Sequence, residues 1–491
     1  MIYLTVVAVY LAFLVAVSIY RSRKVRTQDD FMVAGRSVPW QFLVGTLVCT
    51  WIGSGSLFGG AGRAFREGFS ALWMSAGAWL GILVVYFLAG RVRRIAQYTV
   101  PDLLETRYHP AARILGTLAI MIGYLTIAGY QFIGGGRLLN ILYPDISPTA
   151  GKAIVCGLVI VFTVTAGMLS IVALDVFNGI IIIVSILIAA PLALDAAGGW
   201  GTLTATLPET HFTVTGRLGL SAALGLFLPT LFLLLGESSM YQKFFAAKDE
   251  AAARKAVIGM VLGVIVVETL LDTTAVFGAG VYWNDPTFLA SDGGWDARTT
   301  ETILLVFARN NLPVGAGCLL LAGAVAIVFS TATTFLLVPS TGFARDIFQR
   351  FIDPDVSERK LIFIQRLAII ILAGLAYLVT TRFTSILDMA LYAYTIVGAA
   401  VTPALLAAFL WKRVTPLGGV LSISLGTAVT IVFAVLHQSG LDSLDLGLFE
   451  LPIDYDYIFY PAATASFLGL VVGSLSTPPS PESVWKKFVT G

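Results

Sequence analysis

Long apolar runs dominate this chain, separated by short polar stretches. Thirteen runs approach or exceed the length of a membrane-crossing helix: 2–20, 39–62, 69–90, 113–142, 150–170, 172–196, 217–245, 255–283, 312–343, 361–381, 384–411, 416–437 and 457–476. Such a helix needs about 20 mainly apolar residues. The pattern predicts an all-α polytopic membrane protein with about thirteen transmembrane helices. The first run, MIYLTVVAVYLAFLVAVSIY, has no basic leading stretch and no small-residue cleavage site, so it reads as a retained span. Two runs look interrupted. In 39–62, Gly53-Ser54-Gly55-Ser56 lies in the middle and Gly59-Gly60 follows. In 217–245, Gly225, Pro229 and Gly236-Glu237 stand in apolar surroundings. Membrane helices use glycine for close packing, and for either run alone that is the plainer explanation. The two lie five spans apart in chain order, and a spaced pair of broken spans points to a binding site near the midplane.

Composition changes the picture little. The chain is 57% hydrophobic and 12% charged over 491 residues, against about 25% charged in soluble domains. Lipid must solvate most of it. A net charge of +2 suggests no nucleic-acid partner. Cys49, Cys156 and Cys318 lie in apolar runs, and His109, His211 and His437 lie far apart, which argues against a disulfide framework or a zinc cluster. No GxxxxGK[ST] loop occurs. The longest loop, 284–311, has room for a short helix in TTETILLVFARNN, but for no motor or enzyme domain. Lys and Arg set orientation. With the N-terminus outside, 23 basic residues fall inside, among them Arg21, Arg23, Lys24 and Arg26, and 7 fall outside. The expected topology is N-terminus outside and C-terminus inside.

Ser330-Thr331 carries the candidate chemistry. Sodium is a small hard cation that wants several oxygens. A broken helix frees backbone carbonyls, so CTWIGSGS can present those of Cys49 and Ile52. A facing helix can add the hydroxyls of Ser330 and Thr331 and a carbonyl near Ile327. Back-bonding of both hydroxyls to their own helix is the plainer reading of a lone Ser-Thr pair. Glu268 and Asp272 stand four apart on one helix face, where like charges repel. A shared proton or an interposed cation would relieve them, so they are candidates for proton coupling or for a cationic solute. Arg137, near a span end, is expected to snorkel to the interface.

Five motifs occur in order over roughly residues 30–415. They are DFMVAGRSVPW, TLVCTWIGSGSLFGGAGRAFREG, GMLSIVALDVFNGII, YQKFFAAKDEAAARKA and FSTATTFLLVPSTGFARDIFQ. Together they resemble the sodium/solute symporter family, which includes sodium-coupled glucose, proline, iodide and choline carriers with the LeuT-type inverted-repeat fold. The fourth matches the family's Gln-Arg…Ala-Lys…Ala stretch, and Leu174 stands where the family usually has Thr. The resemblance implies one sodium, held by carbonyls of Cys49, Ile52 and Ile327 and the side chains of Ser330 and Thr331. It also implies a possible second sodium, or an exit path, at Thr50, Asp175, Thr333 and Thr334. Asp175 could alternatively serve a helix N-terminus.

In that fold the solute lies between the broken helices. The candidates are Trp51, Ser54, Ser56, Tyr130, Gln131, Glu237, Ser238, Tyr392 and Tyr394. CTWIGSGS resembles Thr-Trp-Val-Gly of the choline-carrier branch, and an indole face attracts a quaternary ammonium. Packing, or stacking on an apolar or sugar-like solute, is nevertheless the preferred role of Trp51. Glu237 would suit an amine, or could pair with Lys243 or Arg137.

The expected molecule is a single transporter domain of 1–491 in the cell membrane and not an enzyme. It has a preceding helix (2–20), two five-helix repeats (39–196 and 217–411) and two C-terminal helices (416–476). Its expected work is sodium-coupled symport of a small organic solute by alternating access, with sodium as the co-transported ion and no organic cofactor. Its partners are the solute and the lipid bilayer, with no nucleic acid, as a monomer or loose homo-oligomer. The alternatives are proton coupling through Glu268 and Asp272, or a solute-sensing receptor.

Overall fold

The computed structural model describes residues 2–22, 27–95, 97–445, 447 and 450–489. Arg23, Lys24 and Arg26, counted toward the inner side, lie outside the described residues. The chain forms a helical bundle, joined by one small hairpin that pairs Ser443–Asp445 with Glu450–Pro452.

Local chemistry starts the helices. Ser147 caps the helix that begins at Pro148, and Thr415 caps the one that begins at Pro416. A side-chain oxygen there satisfies an orphan N–H, and proline needs no donor in the first turn. Asp249, Ser357 and Ser385 cap three more helices. Glycine divides what hydropathy alone cannot. Gly167, at φ 60°, turns the apolar stretch 148–196 into Pro148–Thr165 and Gly167–Ala196. The expected boundary near 171 therefore moves back to the residue whose backbone can take that φ.

Among the described residues, eleven stretches are long and apolar enough to cross a membrane, against the thirteen expected. The helix Trp40–Trp51 falls short because it stops at a break after 12 residues, and Phe459–Leu475 has 17. The first broken span resumes at Ser54 and runs on to Glu67. The second comprises Gly219–Gly236 and Ser238–Ala246, interrupted at Glu237. Gly225 and Pro229, expected to weaken it, lie inside continuous helix. The loop 284–311 does hold short helices, Ala297–Thr300 and Ile303–Asn310.

The helix Val314–Thr341 runs through the centre, with every residue from Leu320 to Thr341 buried. It packs against Pro110–Leu142 and Pro148–Ala196 and faces the first break. Close approach elsewhere depends on small residues. A Cβ on Gly77 would come within 2.2 Å of the Phe227 carbonyl oxygen, where Leu72–Ile95 crosses Gly219–Gly236. Gly157 has open space around its missing Cβ. Gly77→Ala is expected to destabilise by about 1–3 kcal/mol, the usual cost of overpacking, while Gly157→Ala is neutral or stabilising. Thermal midpoints of the two variants in one detergent check this, and equal midpoints would refute it.

Candidate functional site

The break between Trp51 and Ser54 leaves backbone groups without helical partners. Ile52 sits at ψ 102°, out of helical geometry. Its carbonyl, with those of Cys49 and Thr50, converges on one atom. The Thr331 hydroxyl lies 3.0 Å from the Ile52 oxygen, 3.3 Å from that of Cys49 and 3.4 Å from that of Thr50. On the other side of the break, Gln131 Oε1 accepts from the Ser54 N–H at 2.9 Å and from its hydroxyl at 2.6 Å. Glycine is required between them. A Cβ on Gly53 would stand 2.8 Å from Gln131 Nε2 and 3.0 Å from the Thr331 methyl.

Four of the five expected sodium ligands thus meet around Thr331. Cys49 and Ile52 contribute carbonyls, and Ser330 lies beside Thr331 with its hydroxyl donating to Asp175 Oδ1 at 2.6 Å. Ile327, also buried, lies one turn earlier on the same helix. Plain back-bonding does not describe Ser330 or Thr331, whose hydroxyls both reach across to other helices. It does describe Thr333, whose hydroxyl donates to the Ser330 carbonyl at 2.9 Å. Of the second set, Thr50 and Thr334 hydroxyls lie 3.3 Å apart. Asp175 is more than two turns past Gly167, counting about 3.6 residues per turn. It therefore serves no helix start. It accepts from Thr46 at 2.5 Å as well as from Ser330.

Sequence reading missed Lys243 in this cluster. Its ammonium is fully buried and donates to the Thr46 carbonyl at 2.9 Å and to the Thr50 hydroxyl. Thr46 had a legible signal, since it stands one helical turn before Thr50, as Ser330 stands one turn before Thr334.

The solute candidates divide into two groups. Trp51 Nε1 donates to Glu268 Oε1 at 2.9 Å, and Ser56 Oγ donates to the same oxygen at 3.2 Å. Trp79 Nε1, another residue missed, donates to Glu268 Oε2 at 3.0 Å. Ser75 approaches Asp272 at 3.5 Å. The Trp51 and Tyr394 rings lie 6.1 Å apart, and the Tyr394 and Tyr130 hydroxyls both flank Gly55. Gln131 Nε2 is buried without a partner among the described residues. These residues form one buried to half-buried cluster at the first break.

Three candidates lie elsewhere. Glu237 caps Ser238–Ala246, accepting from the N–H groups of Ser239 and Met240, the Ser239 hydroxyl and the Tyr124 hydroxyl at 2.5–3.1 Å. Its oxygens are engaged at the second break, away from the Trp51–Glu268 cluster. Ser238 is buried within the same cap and lines a small cavity with Gln242 and Asp346. Tyr392 packs against Phe383 and Tyr455. Two positions along a helix correspond to a turn of roughly 200°, so Tyr392 and Tyr394 face opposite ways.

Two buried charge networks hold the ends of the helix Pro110–Leu142. At one end Arg113 bonds Asp102 (2.5 Å), Glu105 (2.6 Å) and Asp346 (2.7 Å). At the other, Arg137 pairs with the fully buried Glu301 at 2.5 Å. This corrects the expected snorkelling. A carboxylate that also caps Ile386–Leu410, through the N–H groups of Ile386 and Leu387, holds Arg137 inside.

A model of the sodium:solute symporter family matches residues 31–426. The high-affinity proline transporter PutP of Bacillus subtilis (strain 168) is 24% identical, over 94% of this chain and 95% of its own. The sodium/proline symporter of Staphylococcus aureus (strain JH9) is 24% identical, over 87% and 85%. Among solved structures, a Na+-coupled sialic acid symporter superposes with a TM-score of 0.77 at 17% identity, over 98% of this chain and 99% of that one. Mhp1, a nucleobase-cation-symport-1 family transporter, gives 0.57 at 12% identity, over 93% and 97%. The fold is the LeuT-type transporter fold expected from the sequence.

Arg137→Ala leaves Glu301 buried and unpaired. It is expected to cost about 3–5 kcal/mol, with partial recovery in Arg137→Met/Glu301→Gln, read as thermal stability in detergent. Glu105, on the short helix Val100–Arg107, has a pH signature. Burial opposes its ionisation, but Arg350 and Arg113 outweigh burial and hold its carboxyl below the usual range. Its stabilisation is present above the unfolded value, about 4.3, and is lost as pH falls through the lower folded value. Glu105→Gln should therefore destabilise at neutral pH and flatten the acid limb of the stability profile. An unchanged acid limb would refute the assignment.

Proposed function

This chain belongs to the sodium:solute symporter family, and on that footing we propose how its residues carry the ion and the solute. It is a multi-pass protein of the cell membrane that couples sodium to the transport of a small organic solute. We assign sodium to the carbonyls of Cys49, Ile52 and Ile327 and the hydroxyls of Ser330 and Thr331. The observation that carries this is the convergence of the carbonyls at the break on Thr331 Oγ1. An ion there ties the broken span to the central helix and so stabilises one arrangement of the two. Asp175, one hydrogen bond from Ser330, stands on the exit path. The excess of loop Lys and Arg on the inner side supports an inward-facing C-terminus.

The solute lies at Trp51, Ser56, Tyr130, Gln131 and Tyr394, against Glu268. A buried carboxylate edged by aromatic rings favours a cationic nitrogen, as in an amino acid or small amine. The proline transporters among its relatives make proline the first solute to test. Glu268 already accepts from two indoles and a hydroxyl, a set that suits a carboxylate more than a proton carrier. Asp102, Glu105 and Asp346 close around Arg113 at the inner end, and Glu301 with Arg137 at the outer end. Opening one network while the other holds gives alternating access. Ion and solute raise each other's affinity by the same factor.

The test is thermal stability of purified protein with proline, choline or glucose, each in sodium and in potassium. Sodium is expected to stabilise the wild type and to strengthen the effect of a nitrogen-bearing solute. Ser330→Ala/Thr331→Ala should abolish both responses. Glu268→Gln should keep the sodium response and weaken solute binding roughly 10–100-fold, the worth of a charged hydrogen bond. Stabilisation by glucose alone would overturn the solute class, and a sodium response that survives in the double variant would overturn the ion site.

A further inference from the structure

Lys243 is the unexpected member of the ion cluster. An ammonium at membrane depth needs oxygen partners, and Lys243 is fully buried. It takes its partners from a single helix face, through the Thr46 carbonyl at 2.9 Å and the Thr50 hydroxyl one turn later. No carboxylate lies within 4 Å of it among the described residues. Its counter-charge arrives through one intermediary, because the Thr46 hydroxyl donates to Asp175 at 2.5 Å. The Thr50 oxygen that it holds is also the one 3.3 Å from Thr334.

These are the oxygens a second sodium would need. Of Thr50, Asp175, Thr333 and Thr334, the ammonium occupies Thr50 directly and reaches Asp175 through Thr46. Thr333 is turned to its own helix. A sodium added here would share the Thr50 oxygen with a fixed positive charge, in a medium that screens poorly. We propose that the Lys243 ammonium is a tethered cation standing in the second ion site, so that the chain binds one sodium instead of two. Through Thr46, the tether supplies the buried Asp175 with a counter-charge. It also leaves the site at Thr331 as the one whose occupancy follows external sodium. This inference rests on the ion site assigned above.

The test counts radioactive sodium bound at saturation to purified protein, with no solute present. One ion per chain is expected in the wild type and in Lys243→Arg, which keeps the charge. Lys243→Ala frees the oxygens and is expected to bind two, returning to one in Lys243→Ala/Asp175→Asn. Two ions in the wild type overturn the proposal, as does a folded Lys243→Ala that still binds one. If Lys243→Ala does not fold, the wild-type count decides by itself. Thr331→Ala separates the two assignments. It takes the wild-type count from one to zero if both hold. A wild-type count of two that Thr331→Ala reduces to one overturns the tethered cation alone.

Discussion

The structure depends on how broken backbone is satisfied away from water. An unpaired carbonyl or N–H in the hydrocarbon region costs several kcal/mol. Two spans are nevertheless interrupted, at Ile52-Gly53 and at Glu237, and neither break is left bare. At the first, Thr331 meets the carbonyls and Gln131 meets the Ser54 N–H. At the second, Glu237 and Tyr124 serve the new helix start. The chemistry differs between the two. The first break exposes oxygens, which suits a cation. The second exposes N–H groups, and the chain's own carboxylate takes them up.

The first break therefore leaves oxygens that suit a cation, and the second is closed by the chain's own side chains. The same asymmetry explains the crowding at Gly53, where any side chain would displace Gln131 or Thr331. Burial of the central helix does not by itself set where its hydroxyls go. Ser330 and Thr331 face acceptors on other helices, whereas Thr333, equally buried, bonds its own backbone.

The charge networks obey the same constraint at the ends of the bundle. Arg113 and Arg137 sit on one helix, 24 positions apart, roughly 36 Å along its axis. Each pairs with a fully buried carboxylate from a segment distant in the chain, Asp346 or Glu301. Such pairs add little net stability, but losing one partner leaves a buried charge and is strongly destabilising. At these positions they couple the central helix's far end, through Asp346, and the start of Ile386–Leu410, through Glu301, to the same rod.

The sequence alone determined the class of molecule, the run of spans, the broken segments and the hydroxyl pair. These are local properties. Apolar length, a proline in a first turn, and glycine or a cap residue at an end each act within a few residues of themselves. The family motifs pointed further, to Cys49, Ile52, Ser330 and Thr331, which the fold brings together at the first break. Tertiary structure alone decided which groups share an oxygen. Lys243 and Thr50 are 193 positions apart, and Arg137 and Glu301 are 164 apart. Nothing in either neighbourhood announces the other. Glu237 looked like a pocket acid because a carboxylate at a helix break can face a ligand or cap its own helix, and only the path of the chain selects between them. Tyr392 and Tyr394 were separable in principle by helical periodicity, but which of them faces inward depends on how the helix is rotated. That rotation is set by packing against helices more than a hundred residues away, and no local pattern encodes it.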